Sequence, residues 1–370
     1  MGEKRDLSAR ILEFTQELVE TPTPTGREED LHPFLKDVLE GCGFEVSFQQ
    51  VGTRGHNLIA QRGESPLLIA THIDTFPAYT HPEPYTLRRE VDLLIGRGVV
   101  DVKGQIAALL AAVEACDCPV QIALVVDEER YGTGSRELDV QAQAAVVLEP
   151  TDLHPAPAQA GAVDFIAIVY GRAAHGSVPH RGENALLKAY ELIQAIEELP
   201  FLKARHPLFP EQPWVTVGVI QGGFEPMVVP NACRFEADVR VLPGVKIEEA
   251  LHQLMDCFTR FGAEFILGDA EPPFELSQDE PIFRALSQAV EEALGEPRPA
   301  VGMPSWTDAA NLVRKGIPTV VFGAGDLAVA HSDFEHVRLS DLMALAHVLL
   351  RLLEIAPERL RSEGDQGREG

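Results

Sequence analysis

Five short segments of this chain place acid or imidazole groups directly after apolar runs. The first is Ala70-Thr71-His72-Ile73-Asp74-Thr75. In an extended chain residues i and i+2 share a face, so His72 and Asp74 point the same way. A carboxylate beside an imidazole fixes its tautomer and raises its basicity, the usual support of a metal-bound histidine. The second segment runs from Gly96 to Gly104, with glycines suited to tight turns and with Asp101 able to bridge two cations. Its GxG lacks a third glycine at dinucleotide-binding spacing, which argues against a Rossmann cofactor site. The third, Asp127-Glu128-Glu129, sets three carboxylates in a row after Val125-Val126. They repel one another unless a metal or a shared proton relieves them. Glu149 follows another apolar run, and His331 to His336 follow residues 320–322 and a glycine-rich turn. Taken singly, each segment reads as readily as an ordinary polar turn. Together they offer imidazole and hard oxygen donors, a set for Zn, Co or Mn and not for copper or iron–sulfur chemistry. No Ser or Cys stands in a nucleophile-elbow context, which disfavours a covalent hydrolase.

Such donors need strands to deliver them. Apolar runs at 44–49, 57–60, 67–70, 120–126 and 144–148 read as strands. They alternate with helices over 8–19, up to Leu39, and over 105–114. That predicts an α/β sheet covered on both faces, with the site at the strands' carboxyl ends. Thr25-Gly26-Arg27-Glu28 resembles a capping box opening the helix that ends near Leu39. Near residue 160 the pattern changes to strand 164–170, helix 185–199, strands 214–221 and 233–242, helix 247–260 and strand 263–267. That β-α-β-β-α-β order is the ferredoxin-like split unit. An α/β pattern then resumes with helix 282–294, strand 319–322 and helix 340–355. The expected organisation is a catalytic domain built from 1–162 and 273–370, with an α+β domain inserted at 163–272. The tail from about residue 362 has little to bury and is expected to be disordered.

Composition contributes exclusions. The chain has 370 residues, 57 Asp+Glu against 31 Lys+Arg, and a formal net charge of −26. Such a surface repels phosphate backbones and anionic lipid, so nucleic-acid and membrane partners are not expected. Five cysteines without a CxxC pair, a start unlike a signal peptide and no long apolar run point to a cytoplasmic protein.

In this order and spacing the five motifs resemble those of the M20 metallopeptidases, over about residues 10–355. The resemblance implies a mixed-sheet di-zinc hydrolase fold with an inserted lid and dimerisation domain. It also implies roles. His72 would bind one metal with Asp74 orienting it, and Asp101 would bridge two metals. Glu149 would complete the first site, and Glu129 with His331 the second. Glu128 would be the general base of metal-assisted amide hydrolysis, with two divalent ions, Zn or else Co or Mn, as cofactor. Gly171-Arg172-Ala173-Ala174-His175-Gly176-Ser177 is similar to the family's lid motif, so His175 would polarise the scissile carbonyl in a neighbouring subunit of a homodimer. The DxRxLPG stretch from Asp238 to Gly244 resembles that of acetylornithine deacetylases, making Arg240 a candidate clamp for a substrate carboxylate. Asp308 lies in a segment similar to the family's TDA loop near the substrate. One position departs: Met227 stands where the family usually carries a substrate-contacting Asn. The substrate so implied is an N-acyl amino acid such as N-acetylornithine, with deacetylation the reaction. Carboxypeptidase or dipeptidase action on short peptides is the alternative. An inactive relative acting as a binding protein is more remote, because no ligand position is lost.

Overall fold

A computed structural model describes residues 6–364. The chain divides into two compact units. One takes the residues up to Pro157, Leu276–Val301 and those from Thr307 onward; the other takes Ala158–Glu275 with Gly302–Trp306. The second unit therefore includes a short segment, 302–306, that the expected range 163–272 leaves out. Gly302–Met303 pairs with Ala158–Gln159, which pairs on its other side with Phe274–Glu275.

The first unit is a mixed six-stranded sheet in the order Glu45–Val51, Gly55–Arg62, Val120–Val125, Leu67–His72, Ala144–Leu148, Thr319–Phe322. The central strands are buried along their whole length, as expected of parallel strands covered on both faces. Helix Gly104–Glu114 is buried at every position but its last, because its Ala, Leu and Val residues leave it no polar face. With helices Leu7–Glu20, Pro281–Leu294 and Leu339–Gly364 it builds one apolar core on the sheet. The last helix continues to Gly364; the rest of the tail expected to be disordered lies outside the described residues.

The second unit carries an antiparallel sheet in the order Val215–Gly222, Ala232–Val241, Gly161–Tyr170, Glu264–Glu271, with helices Ala185–Glu197 and Ile247–Phe261. Burial alternates along the two central strands, the signature of a sheet with one covered face. Its core gathers Val163, Phe165, Phe235, Leu254 and Phe258. This is the ferredoxin-like arrangement expected from the sequence.

The turn read as a capping box behaves differently. Thr25 Oγ1 donates to Asp74 Oδ2 at 2.8 Å. Glu28 accepts from Gly26 N at 2.8 Å and, far along the chain, from Asp127 N at 3.1 Å. A buried carboxylate needs donors more than an exposed helix end needs a cap. The segment forms a 3-10 turn, Glu28–Leu31, ahead of helix His32–Gly41.

Candidate metal centre

Strand register assembles the site. Leu67–His72 runs parallel to Val120–Val125 on one side, with His72 opposite Val125, and to Ala144–Leu148 on the other. The residues that follow these three strands, Asp74, Asp127 to Glu129 and Glu149, therefore emerge together at the sheet's carboxyl edge. The strand Thr319–Phe322 pairs parallel with Ala144–Leu148 and leads toward His331.

His72, 1% exposed, anchors the cluster. Its Nδ1 lies 2.8 Å from the Asp74 main-chain oxygen and 3.5 Å from Asp74 Oδ1. Donation to that carbonyl fixes the tautomer and turns Nε2 inward, where it meets Asp101 Oδ1 at 3.1 Å and Glu149 Oε1 at 3.6 Å. The Asp74 carboxylate does something the sequence did not suggest. It accepts the main-chain N–H of Glu128 at 3.2 Å and of Glu129 at 3.1 Å. With Glu28 holding the N–H of Asp127, two buried carboxylates clasp all three amides of the acidic turn. Residue type and spacing marked Thr25 and Glu28 only as a helix cap; their place behind the site comes from tertiary pairing.

Asp101 is shared between two groups. Its Oδ1 faces His72, and its Oδ2 lies 3.3 Å from His331 Nε2. Glu129 Oε2 is 3.1 Å from the same His331 nitrogen, while Oε1 accepts the Phe76 N–H at 2.6 Å. Phe76 stacks on the His331 ring with centroids 4.0 Å apart. Asp127 and His331 hold φ of +65° and +60°, a region non-glycine residues rarely occupy, and such outliers gather at functional sites. His72, Asp101 and Glu149 form one potential cation-holding group, and Asp101, Glu129 and His331 a second, with donor atoms in each within 4.8 Å of one another.

The electrostatics match the geometry. Burial pushes the carboxyls of Glu128 and Glu149 well above their ordinary range, and neighbouring carboxylates add to it against the opposing pull of His72. Burial opposes protonation of His72, but Glu128, Asp101, Asp74 and Glu149 outweigh it and raise its pKa well above the ordinary value. His331 is raised to about 10 because Asp101 and Glu129 overcome its desolvation. Asp101 goes the other way: the two imidazoles overcome burial and hold it below the ordinary carboxylate range. This is a cluster in excess of negative charge, drawing in positive charge wherever it can. Glu149 Oε1 is buried without a hydrogen-bond partner. That orphaned oxygen, the imidazole nitrogens and the shared Asp101 fit a pair of divalent cations bound by nitrogen and oxygen.

Of the residues expected to meet substrate, one lies beside this cluster and three lie in the second unit. Asp308 is fully buried ahead of helix Ala309–Arg314. Burial, with Asp74 and Asp127 adding against His72, raises its pKa to about 6. It belongs to the carboxylate shell and presents no surface. His175, Met227 and Arg240 are in the second unit. His175 is exposed; its Nδ1 accepts the Ser177 N–H at 3.2 Å and lies 2.8 Å from Ser177 Oγ. In the neutral ring the proton is then on Nε2, which leaves a donor facing outward. Met227 is 64% exposed, and its carbonyl accepts the Gly176 N–H at 2.6 Å. Arg240 Nε pairs with Asp238 Oδ1 at 2.7 Å, while its Nη1 is buried without a partner.

A mixed α/β sheet with paired imidazole–carboxylate groups at its carboxyl edge is the architecture of a metal-dependent hydrolase. The model of peptidase family M20/M25/M40 matches residues 68–355; the chain belongs to this family and is a metallohydrolase. It is 31% identical over 354 residues to an acetylornithine deacetylase of Myxococcus xanthus, with 85% of this chain and 88% of that protein covered. A second acetylornithine deacetylase, from Vibrio cholerae, is 28% identical over 345 residues, covering 86% and 89%. Among solved structures, a tripeptidase of Staphylococcus aureus shares the fold with a TM-score of 0.79 at 22% identity, covering 95% of this chain and 99% of that one. An M20 family metallo-carboxypeptidase of Sulfolobus solfataricus does so with a TM-score of 0.76 at 16% identity, covering 97% and 100%.

Proposed function

We propose that His72, Asp101 and Glu149 hold one divalent cation and Asp101, Glu129 and His331 a second, and that the chain deacylates an N-acyl amino acid such as N-acetylornithine. One observation carries the reading: the two oxygens of Asp101 face two different histidines, each with its own further carboxylate. Zinc, cobalt and manganese all accept these donors. When bound, the ions supply Lewis-acid activation of water and of the substrate carbonyl. The chain's own residues do the rest. Glu128 takes a proton from the attacking water and returns it to the departing amine. Asp74 holds that glutamate's N–H and Glu28 the N–H of the preceding Asp127. His175 donates its outward N–H to the developing oxyanion, and the unpartnered Nη1 of Arg240 receives the substrate carboxylate.

The second unit is read as a lid and dimerisation domain, with His175 serving the active site of a partner subunit. Exposed apolar residues on the edge strand (Val219 and Ile220) and on helix Ala185–Glu197 (Leu187 and Tyr190) support a homodimer through this unit. Among the described residues no helix is long and apolar enough to cross a membrane, and the free cysteines suit a cytoplasmic setting. Likeness to deacetylases supports the substrate reading. Peptidase action on short peptides is the alternative, as solved structures sharing the fold include a tripeptidase and a metallo-carboxypeptidase; Met227, in place of the usual Asn, points to an altered contact with the substrate carboxylate.

Assay of the zinc- and cobalt-loaded enzyme on N-acetylated amino acids and on dipeptides decides between them. The expected result is a kcat/KM on an N-acetyl amino acid on the order of tenfold or more above any dipeptide. The reverse ranking establishes the peptidase reading.

A further inference from the structure

We propose that Glu335 is the positioning residue of the shared carboxylate, fixing Asp101 between the two cation groups; the inference rests on the metal centre proposed above. Glu335 is 1% exposed and gathers four donors. Its Oε2 accepts Arg97 Nη1 at 2.6 Å and Gly98 N at 2.9 Å. Its Oε1 accepts Val100 N at 3.1 Å and Asp101 N at 3.2 Å. The last of these is the amide of the shared ligand itself. The backbone at Asp101 leaves helical geometry, with φ −126° and ψ 83°, so these amides precede the regular helix Gly104–Glu114 and need an outside acceptor.

The loop has little room to relax. Gly98 sits at φ +80°, and a Cβ there would lie 2.6 Å from Thr75 Cγ2. Arg97, also 1% exposed, sends Nη2 to the Ser332 carbonyl at 3.3 Å, next to His331. The Arg97–Glu335 pair thus joins the loop bearing Asp101 to the loop bearing His331, more than 230 residues apart in sequence. A buried ion pair of this kind is weak evidence for stability. Its hydrogen bonds converge instead on one ligand-bearing backbone, which is where precision matters for a site whose donors must hold within about 0.5 Å.

The test uses the full-length chain, freed of metal and titrated with cobalt(II), read by calorimetry and by visible d–d absorption. Far-UV circular dichroism and thermal melting report the fold. Two variants are compared, Glu335→Gln and the double variant Arg97→Met with Glu335→Gln. Wild type is expected to take two cobalt ions per chain. Both variants are expected to bind about 10–100-fold more weakly, with altered d–d bands. Weakening at both sites is the specific mark, because Asp101 belongs to both. The double variant no longer leaves a buried guanidinium unpaired, so it regains thermal stability without regaining affinity; should Glu335→Gln not fold, it carries the test. Wild-type affinity and spectrum in either folded variant overturn the proposal, as does recovery of affinity together with stability in the double variant. If wild type itself takes up no cobalt, the metal-centre reading falls and this inference with it; if wild type binds normally and the variants match it, only the positioning role falls.

Discussion

The chemistry-bearing residues of the two units are held in opposite ways. In the first unit His72, Asp74, Asp101 and Glu149 are each less than a tenth exposed, and several hydrogen bonds fix the main chain around them. In the second unit His175 and Met227 are exposed; the His175 main chain bridges to Val228, and its ring is hydrogen-bonded to Ser177 in its own turn. Burial makes the first set strongly interacting and expensive to rearrange. Exposure leaves the second set free to meet something that arrives, a substrate or a second subunit. On the proposed reading, the preorganised charge cluster and the exposed donor serve the same hydrolytic step.

Loss of function should be greatest where the first unit is disturbed. Glu128→Gln is expected to lower kcat by about 10²–10⁴-fold while metal content by elemental analysis stays at the wild-type level. Near-normal turnover would remove Glu128 from the role of base. His175→Ala comes next, with kcat lower by about 10²–10³-fold and cation affinity unchanged. A concurrent loss of bound metal would blur the contrast between the two units. Arg240→Lys should act on KM, raising it on the order of tenfold for substrates with a free carboxylate while leaving kcat nearly intact. An equal effect on a substrate whose carboxylate is amidated would dismiss the clamp.

The smallest effect concerns stability. Asp164 lies across the second unit's sheet from Asp238 at an exposed position of its strand, and partial desolvation, then hydrogen bonding to Asp238, raise its pKa to about 7. The folded state therefore holds a proton that the unfolded state releases near pH 4. Stability from this residue is intact at pH below about 4 and falls as pH rises towards 7. Because solvent screens this exposed group, Asp164→Asn should raise the melting temperature only slightly at pH 8, by about 1 °C, and change nothing near pH 3.5. A rise of equal size at both pH values would contradict the sign.

Much of this contrast could be read from the residues. Fully apolar strands ending in His, Asp or Glu announced a buried sheet with acid at its carboxyl edge, because few other arrangements tolerate such runs. The β-α-β-β-α-β order likewise followed from periodicity. The clasp behind the site was not legible. Glu28 looked like a helix cap because its local spacing fits one, and only tertiary pairing shows its carboxylate bound to Asp127 N. Asp74 was expected to orient His72 through its carboxylate; its carbonyl lies nearer the ring and its carboxylate holds the neighbouring turn. Glu335 sits four residues from His331 in a polar loop, and its link to Gly98, Val100 and Asp101 depends on contacts more than 230 residues away. Local pattern locates groups at strand ends; it does not say which backbone amides they will hold.

In the proposed centre two cations share Asp101. Metal content of the zinc-reconstituted chain, measured by elemental analysis for wild type and for Asp101→Asn with activity followed in parallel, tests it most directly. Two zinc ions per wild-type chain are expected, and fewer than one per variant chain with turnover lost. Two ions retained by Asp101→Asn, with activity preserved, would contradict it.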